Sequence, residues 1–400
     1  MGRLGDATAA IRRALSGKHD VDTVPGPGLG RTNAVGTQSH GPVIWDATPV
    51  APGSHAFEVP TQTPFTVEPA DIEELLVEPT AAPPAATTPV EARPVAQPGP
   101  GEFTEATYKQ SLQSLRYKLY IPPDHAGRRL PLVVMLHGCT QDPDDFALGT
   151  RMNELGREMG FFVLYPAQAQ SANPSRCWNW FKRDHQQRDS GEPALIAGAT
   201  QAVIRQHDID ANRVFIAGLS AGGAMAAIVA EAYPEIFAAA GIHSGLPRGA
   251  ASNMIDALSV MRKSGAAPAA NHQQDRPVPT IVFHGDGDLT VHPRNGEHVL
   301  AAALGQPNHS ANSTGGPQVE KGVSGNGRSY TRSIHRDDNG HVQAEHWAVH
   351  GAGHAWSGGD PNGSYTDING PDATRAMLEF FFNRSNTVVQ NAMDDTGVRH

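Results

Sequence analysis

Residues 213–223 constrain this chain more than any other stretch. The apolar run Val214 to Ala217 leads without a spacer into Gly218-Leu219-Ser220-Ala221-Gly222-Gly223, and the Ala-rich segment 221–232 reads as a helix until Pro234. A strand that becomes a helix so quickly must turn sharply, and side chains two before and two after Ser220 would collide in the turn. Glycine at 218 and 222 removes the collision and lets the Ser220 hydroxyl project above the strand ends. The helix amino end then lies beneath the hydroxyl, where its field favours a developing negative charge. Alone, the pentapeptide is a weak pattern, since an ordinary strand-to-helix turn with a capping serine also fits it. The strand before it and the helix after it make Ser220 a candidate nucleophile.

The rest of the chain divides by texture. Residues 6–16 read as one short helix, with Leu4, Ala7, Ile11 and Leu15 at helical spacing. From about Gly26 to Pro100, runs such as Ala81-Ala82-Pro83-Pro84-Ala85-Ala86 predict an extended or disordered linker, because proline breaks both helix and sheet ladders. After Tyr108, Leu115–Ile121 alternates like a half-buried strand, while Pro131–Leu136 and Phe161–Tyr165 are continuous apolar runs of the kind buried on both faces. Strands at Ala238–His243, Thr280–Phe283 and His346–Val349 alternate with helices at 146–159, 193–206 and 371–383. That alternation predicts an α/β fold with a doubly wound, mostly parallel sheet. The polar stretch from Gln306 to Gly327 reads as a surface loop. The expected organisation is a short helix and a largely disordered Pro-rich extension over 1–105, a catalytic domain over 106–385 and a tail over 386–400.

A formal net charge of −10 and a pI near 6.0 argue against nucleic acid as a partner, since phosphate binding needs clustered Lys and Arg. No apolar stretch reaches the length of a membrane span. The first residues lack the basic-then-apolar layout of a secretory signal, and Asp6 breaks the myristoylation pattern, so this reading favours the cytoplasm. His335, Asp337, Asp338, His341 and His346 cluster in sequence, but their spacing matches no ligand pattern and no metal is expected there. The two cysteines, Cys139 and Cys177, are too few for a disulfide framework or a thiolate zinc site, although one disulfide between them is compatible with the chain.

A serine hydroxyl needs a base, and the base needs an orienting carboxylate. Where the serine sits on such a turn, the acid and then the histidine follow it in the chain, each on a loop after a strand. After Thr280–Phe283 come His284-Gly285-Asp286-Gly287-Asp288, and Asp288 is the expected acid because it lies far enough along the loop to turn back. Asp286, beside Gly285, reads as a turn former. Among 19 histidines, His354 is the expected base: it sits in Gly351-Ala352-Gly353-His354-Ala355-Trp356, after a strand and before the last helix. His243 and His284 end strands and read as satisfied, partly buried groups, and His350 lies on a strand end. For an oxyanion, the N–H of Ala221 and an N–H from the loop after Pro131–Leu136 are expected, and Gly138 permits the turn that would aim the Cys139 N–H inward.

Taken together, residues 131–141 (PLVVMLHGCTQ), 175–181 (SRCWNWF), 214–226 (VFIAGLSAGGAMA), 284–288 (HGDGD) and 351–359 (GAGHAWSGG) resemble the catalytic domain of the polyhydroxybutyrate depolymerase family of esterases. The N-terminal GRLGDATAAIRRALSG also looks like the start of some bacterial members. The resemblance implies an α/β-hydrolase fold and hydrolysis of short-chain hydroxyalkanoate polyesters or their oligomers, without a cofactor. It carries the triad onto Ser220, Asp288 and His354. The chain departs from secreted polymer degraders in having no Thr-rich linker with a C-terminal substrate-binding domain, whereas the family is often extracellular. Feruloyl and acetylxylan esterases share much of the pattern, and a non-catalytic relative that binds a ligand is the reading from another class. Trp178 and Trp180 are expected either to line the cleft or to pack in the core. Cys139 and Cys177 fall on loops near the site, where a disulfide would stiffen the oxyanion loop and two free thiols are the alternative.

Overall fold

The computed structural model describes residues 99–265, 277–305 and 316–383. The expected helix at 6–16, the Pro-rich extension up to residue 98 and the tail at 386–400 lie outside the described residues. Twelve strands and seven α-helices follow in chain order: β1 (Glu102–Gln110), β2 (Gln113–Ile121), β3 (Leu130–Leu136), α1 (Pro143–Thr150), α2 (Met152–Met159), β4 (Phe162–Ala167), α3 (Gly191–Gln206), β5 (Ile209–Leu219), α4 (Ala221–Ala232), β6 (Ala239–His243), α5 (Met254–Lys263), β7 (Thr280–Gly285), α6 (Arg294–Ala303), β8 (Gln318–Val323), β9 (Ser329–Arg336), β10 (Val342–Val349), β11 (Trp356–Ser357), β12 (Thr366–Asp367) and α7 (Ala373–Phe382).

Ten of these strands form one sheet in the order β1-β2-β4-β3-β5-β6-β7-β10-β9-β8. The centre, from β4 to β10, is parallel, and both flanks are antiparallel. Side chains alternate across a strand, so a strand covered by helices on both faces must be apolar at every position. β3 shows this directly. Leu132, Val134 and Leu136 join an apolar cluster with Ile196 and Val203 of α3 and Met225 and Val229 of α4. The intervening Val133 and Met135 join a second cluster with Phe146 of α1, Met152 of α2 and Met377 and Phe381 of α7. The continuous apolar runs seen in the sequence are therefore two interleaved patterns, one for each face.

The structure departs from the sequence-based expectation at several points. The expected helix at 146–159 is two helices, broken at Arg151, whose φ is 57°. The Gly149 carbonyl accepts the Asp360 N–H at 2.9 Å and the Thr150 carbonyl accepts the Thr374 hydroxyl at 2.7 Å, so distant segments take the acceptors that a continuing helix would use. Within the stretch read as a loop, Gln318–Val323 is strand β8, and 306–315 lies outside the described residues. β8 is an edge strand with no fully buried residue, and so is β1; neither carries the apolar alternation that marks a half-buried strand. Among the described residues no helix is long and apolar enough to cross a membrane.

Gly241 in β6 shows how tightly α7 lies on the sheet. A Cβ there would stand 2.7 Å from Met377 Sδ and 3.1 Å from Phe381 Cζ, and Phe381 stacks on Phe215 with ring centroids 4.9 Å apart. Gly241→Val is expected to destabilise the fold by about 1–3 kcal/mol through overpacking. Gly241→Ala should do less, because the Met377 thioether can swing aside; urea midpoints of the two variants check the ranking.

Candidate active site

Ser220 lies between β5 and α4 with φ 58° and ψ −121°, a strained conformation for a residue with a side chain. Its N–H donates to the His243 carbonyl at 2.9 Å, which fastens the turn to the neighbouring strand β6. The two flanking glycines are needed for a more specific reason than a clash of side chains. A Cβ on Gly218 would stand 2.4 Å from the Gly222 oxygen, and one on Gly222 would stand 2.1 Å from the Leu136 oxygen and 2.5 Å from that of His137. The first turn of α4 therefore packs backbone-to-backbone against the end of β3, bringing the loop after β3 beside the serine. A Cβ on Gly138 would be 3.7 Å from Ser220 Cβ.

The loops after β7 and β10 bring Asp288 and His354 together. His354 Nδ1 is 2.7 Å from Asp288 Oδ2, and Asp288 Oδ1 accepts the N–H groups of Thr290 and Val291 at 2.8 and 2.9 Å. Both side chains are buried, as is Ser220. Burial alone would raise the Asp288 pKa, but the charges and hydrogen bonds of His354 and His284 outweigh it and hold the carboxyl below the usual range. His354 Nε2 is buried and has no hydrogen-bond partner among the described residues. Asp286 is half exposed; it accepts the Gly351 N–H at 2.6 Å and pairs with His350 Nδ1 at 2.9 Å, so it braces the start of the loop that carries His354.

Two further histidines belong to this region, and both are fully buried rather than partly so. His284 Nε2 lies 2.9 Å from the Val291 carbonyl and 3.5 Å from Asp288 Oδ2. His243 Nε2 accepts the Ser357 N–H at 3.0 Å, tying β6 to β11. Burial, then the neighbouring His284 and His354, push the His243 pKa down to about 3. The sequence marks both as strand ends; the Ser357 partner of His243 lies on a loop far along the chain, whereas His284 is held by its own loop.

On the other side of Ser220, Cys139 and Cys177 are joined by a disulfide with their Cα atoms 4.2 Å apart. The backbone N–H groups of Cys139 and Ala221 donate to no carbonyl among the described residues. Trp178 is completely buried with its indole N–H on the His137 carbonyl at 3.1 Å, which leaves no surface for a substrate; the expectation that it lines a cleft is corrected accordingly. Trp180, 3% exposed, packs edge-on against Phe181 and belongs to the same core cluster. His335 and His346 lie on the paired strands β9 and β10, while Asp337, Asp338 and His341 lie at the hairpin end, and no group of three metal-capable side chains forms among the described residues.

A mostly parallel sheet with a strained serine between a central strand and a helix, and a His–Asp pair on later loops, defines the α/β-hydrolase class. The family model described as "Esterase PHB depolymerase" matches residues 115–318, and the chain belongs to this family. Poly(3-hydroxyalkanoate) depolymerase C of Paucimonas lemoignei is 32% identical over 242 residues, covering 58% of this chain and 56% of that protein. A probable acetylxylan esterase A of Neosartorya fischeri is 30% identical over 193 residues, covering 44% and 51% respectively. The chain thus spans about half the length of these relatives. Among solved structures, an acetyl xylan esterase from Aspergillus awamori superimposes with a TM-score of 0.52 at 21% identity, covering 64% of this chain and 94% of that one, a likeness of fold.

The buried ionisable groups predict acid sensitivity. Burial also pushes His137 down to about 4, so His137 and His243 stay neutral in the folded protein while the unfolded chain takes up their protons below about pH 6.5. Asp288 acts in the same direction lower down, its stabilisation being complete above about pH 4 and lost below. Buried Glu231, pushed up to about 7, opposes this by holding its proton in the folded state, but the two histidines outweigh it, so melting temperature should still fall from pH 6.5 downward. His243→Gln should be less stable at neutral pH and show a shallower decline, and Asp288→Asn should flatten the part below pH 4.

Proposed function

We propose that this chain is a serine carboxylic-ester hydrolase acting through an acyl-enzyme. Ser220 is the nucleophile, His354 its general base and Asp288 the carboxylate that holds the imidazole. The observation that carries this reading is the buried 2.7 Å His354–Asp288 contact with Nε2 left without a partner, in a chain that also holds Ser220 in a strained turn between β5 and α4. With Asp288 bound to Nδ1–H, Nε2 is the basic nitrogen and takes the Ser220 proton as the hydroxyl attacks the ester carbonyl. The resulting oxyanion is met by the N–H groups of Cys139 and Ala221, each such donor being worth roughly 3–4 kcal/mol of barrier. His354 then protonates the leaving alcohol, activates water and restores the serine. No step calls for a cofactor.

The substrate class proposed is short-chain hydroxyalkanoate polyester or its oligomers, supported by family membership and by the depolymerase name of the Paucimonas relative. A second reading, an esterase of acetylated or feruloylated carbohydrate, is favoured by the acetylxylan esterase relative. A non-catalytic binding role is disfavoured because such a relative has no need of both a buried His–Asp pair and a strained serine.

A fluorophosphonate probe is expected to label the folded wild-type chain and not Ser220→Ala, whose kcat on 4-nitrophenyl butyrate should fall by roughly 10⁶-fold. Equal labelling of both proteins sinks the assignment of Ser220. Initial rates on hydroxybutyrate oligomers, acetylated xylan and methyl ferulate then separate the substrate readings: preference for either carbohydrate-type ester overturns the polyester one.

A further inference from the structure

The loop after β3 is held by more polar contacts than a turn at a strand end requires. His137 and Gln141 are each 1% exposed, and both direct their side chains onto Gly138 between them. The Gln168 N–H donates to His137 Nε2 at 3.2 Å, so that nitrogen is the acceptor and the proton resides on Nδ1. Nδ1 is 2.8 Å from the Gly138 carbonyl and donates to it. The burial that lowers the His137 pKa to about 4 keeps this neutral tautomer at ordinary pH.

The Gly138 N–H is taken in turn by Gln141 Oε1 at 2.9 Å. That contact fixes which way the amide faces, and Nε2 donates to Asp145 Oδ2 at 3.0 Å and to the Ser364 carbonyl at 3.1 Å. Ser364 lies on the loop that follows His354, between β11 and β12, and its N–H also donates to Asp145 at 2.8 Å. Behind His137, Gln168 reaches on to the Cys177 carbonyl and to Glu192, which also receives both the N–H and the side-chain amide of Asn179.

Both polar groups of Gly138 are therefore committed. In a trans peptide the carbonyl of one residue and the N–H of the next point in opposite directions. A Gly138 carbonyl anchored on the His137 ring forces the Cys139 N–H to face the other way, and that N–H has no carbonyl partner among the described residues. Resting on the hydrolase reading above, we propose that His137 and Gln141 are positioning residues for the oxyanion hole. Gln141 fixes the His137–Gly138 peptide through the Gly138 N–H, and His137 fixes the Gly138–Cys139 peptide through the Gly138 carbonyl, so that the Cys139 N–H is presented to the substrate oxygen before substrate arrives. Gln141 also ties this loop to the one that follows His354, so the oxyanion donor and the base share a brace.

A role confined to stability would lower the melting temperature without touching turnover by the folded enzyme, whereas preorganisation acts on the transition state. The test measures kcat and KM on 4-nitrophenyl butyrate, together with inhibition by phenylboronic acid, which forms a reversible tetrahedral adduct on serine. Four full-length variants are compared: Gln141→Glu, Gln141→Met, His137→Asn and His137→Leu. Gln141→Glu keeps the acceptor for Gly138 but loses the donor and sets a charge against Asp145. Its kcat should fall about 10- to 100-fold with KM within about two-fold, and boronate affinity should fall in proportion. His137→Asn, whose amide N–H can still reach the Gly138 carbonyl, should retain more kcat than His137→Leu.

If another buried variant fails to fold, the isosteric Gln141→Glu decides the question. Wild-type kcat in folded Gln141→Glu, a folded His137→Leu with kcat no lower than His137→Asn, or losses confined to KM or melting temperature, overturn the proposal while leaving the hydrolase reading intact. A wild-type chain that neither turns over the ester nor labels at Ser220 overturns the hydrolase reading, and this inference with it.

Discussion

The organisation of this protein rests on a close backbone approach. The first turn of α4 lies so near the end of β3 that no Cβ fits at Gly222, and the same turn leaves none at Gly218. This contact forces Ser220 into its strained backbone conformation and sets the loop carrying Gly138 and Cys139 next to it. A strained residue persists only where its surroundings over-determine it. Here they do so through the Ser220 N–H on His243, the α4 helix packed in the larger apolar cluster, and β5 at the centre of the sheet. The carboxyl ends of β3, β5, β7 and β10 then become one platform, from which the loops bearing Gly138, Ser220, Asp288 and His354 rise together.

The electrostatics follow from burial. Asp288 is enclosed completely yet stays ionised, because two backbone N–H groups and two imidazoles face it. Asp286, two residues earlier and half exposed, makes a similar His–Asp pair with His350 in a place where solvent screens it. The same residue types thus serve two purposes within one loop: one pair is shielded from solvent, and the other holds loop to loop at the surface. What distinguishes them is how much water each keeps.

Much of this was legible in the sequence where one face or both faces of an element are apolar. The helix after Ser220 runs from Ala221 to Ala232 as read, and the central strands fall where the continuous apolar runs lie. The edge strands were not legible, because β8 and most of β1 face solvent and need no pattern to do so. The break at Arg151 was hidden as well, since its cause is the arrival of Asp360 and Thr374 from more than 200 residues away. His354 and Asp288 could be proposed because their order and strand-end setting are local features. The work of His137, Gln141, His243 and His284 could not, because each is defined by partners that only the folded chain supplies.

The bond between Gln141 and Ser364 spans 223 positions, and Thr140 meets Tyr365 across 225. These contacts stitch the first third of the described residues to nearly their last segment. A chain emerging from synthesis can pleat β3, form the turn at Ser220 and bury α4 well before residue 364 exists. Until that segment returns, Gln141 lacks part of its brace, and His354 has not yet reached Asp288. Such long-range closures come late in folding. The constellation is therefore complete only when the segment around Ser364 is in place.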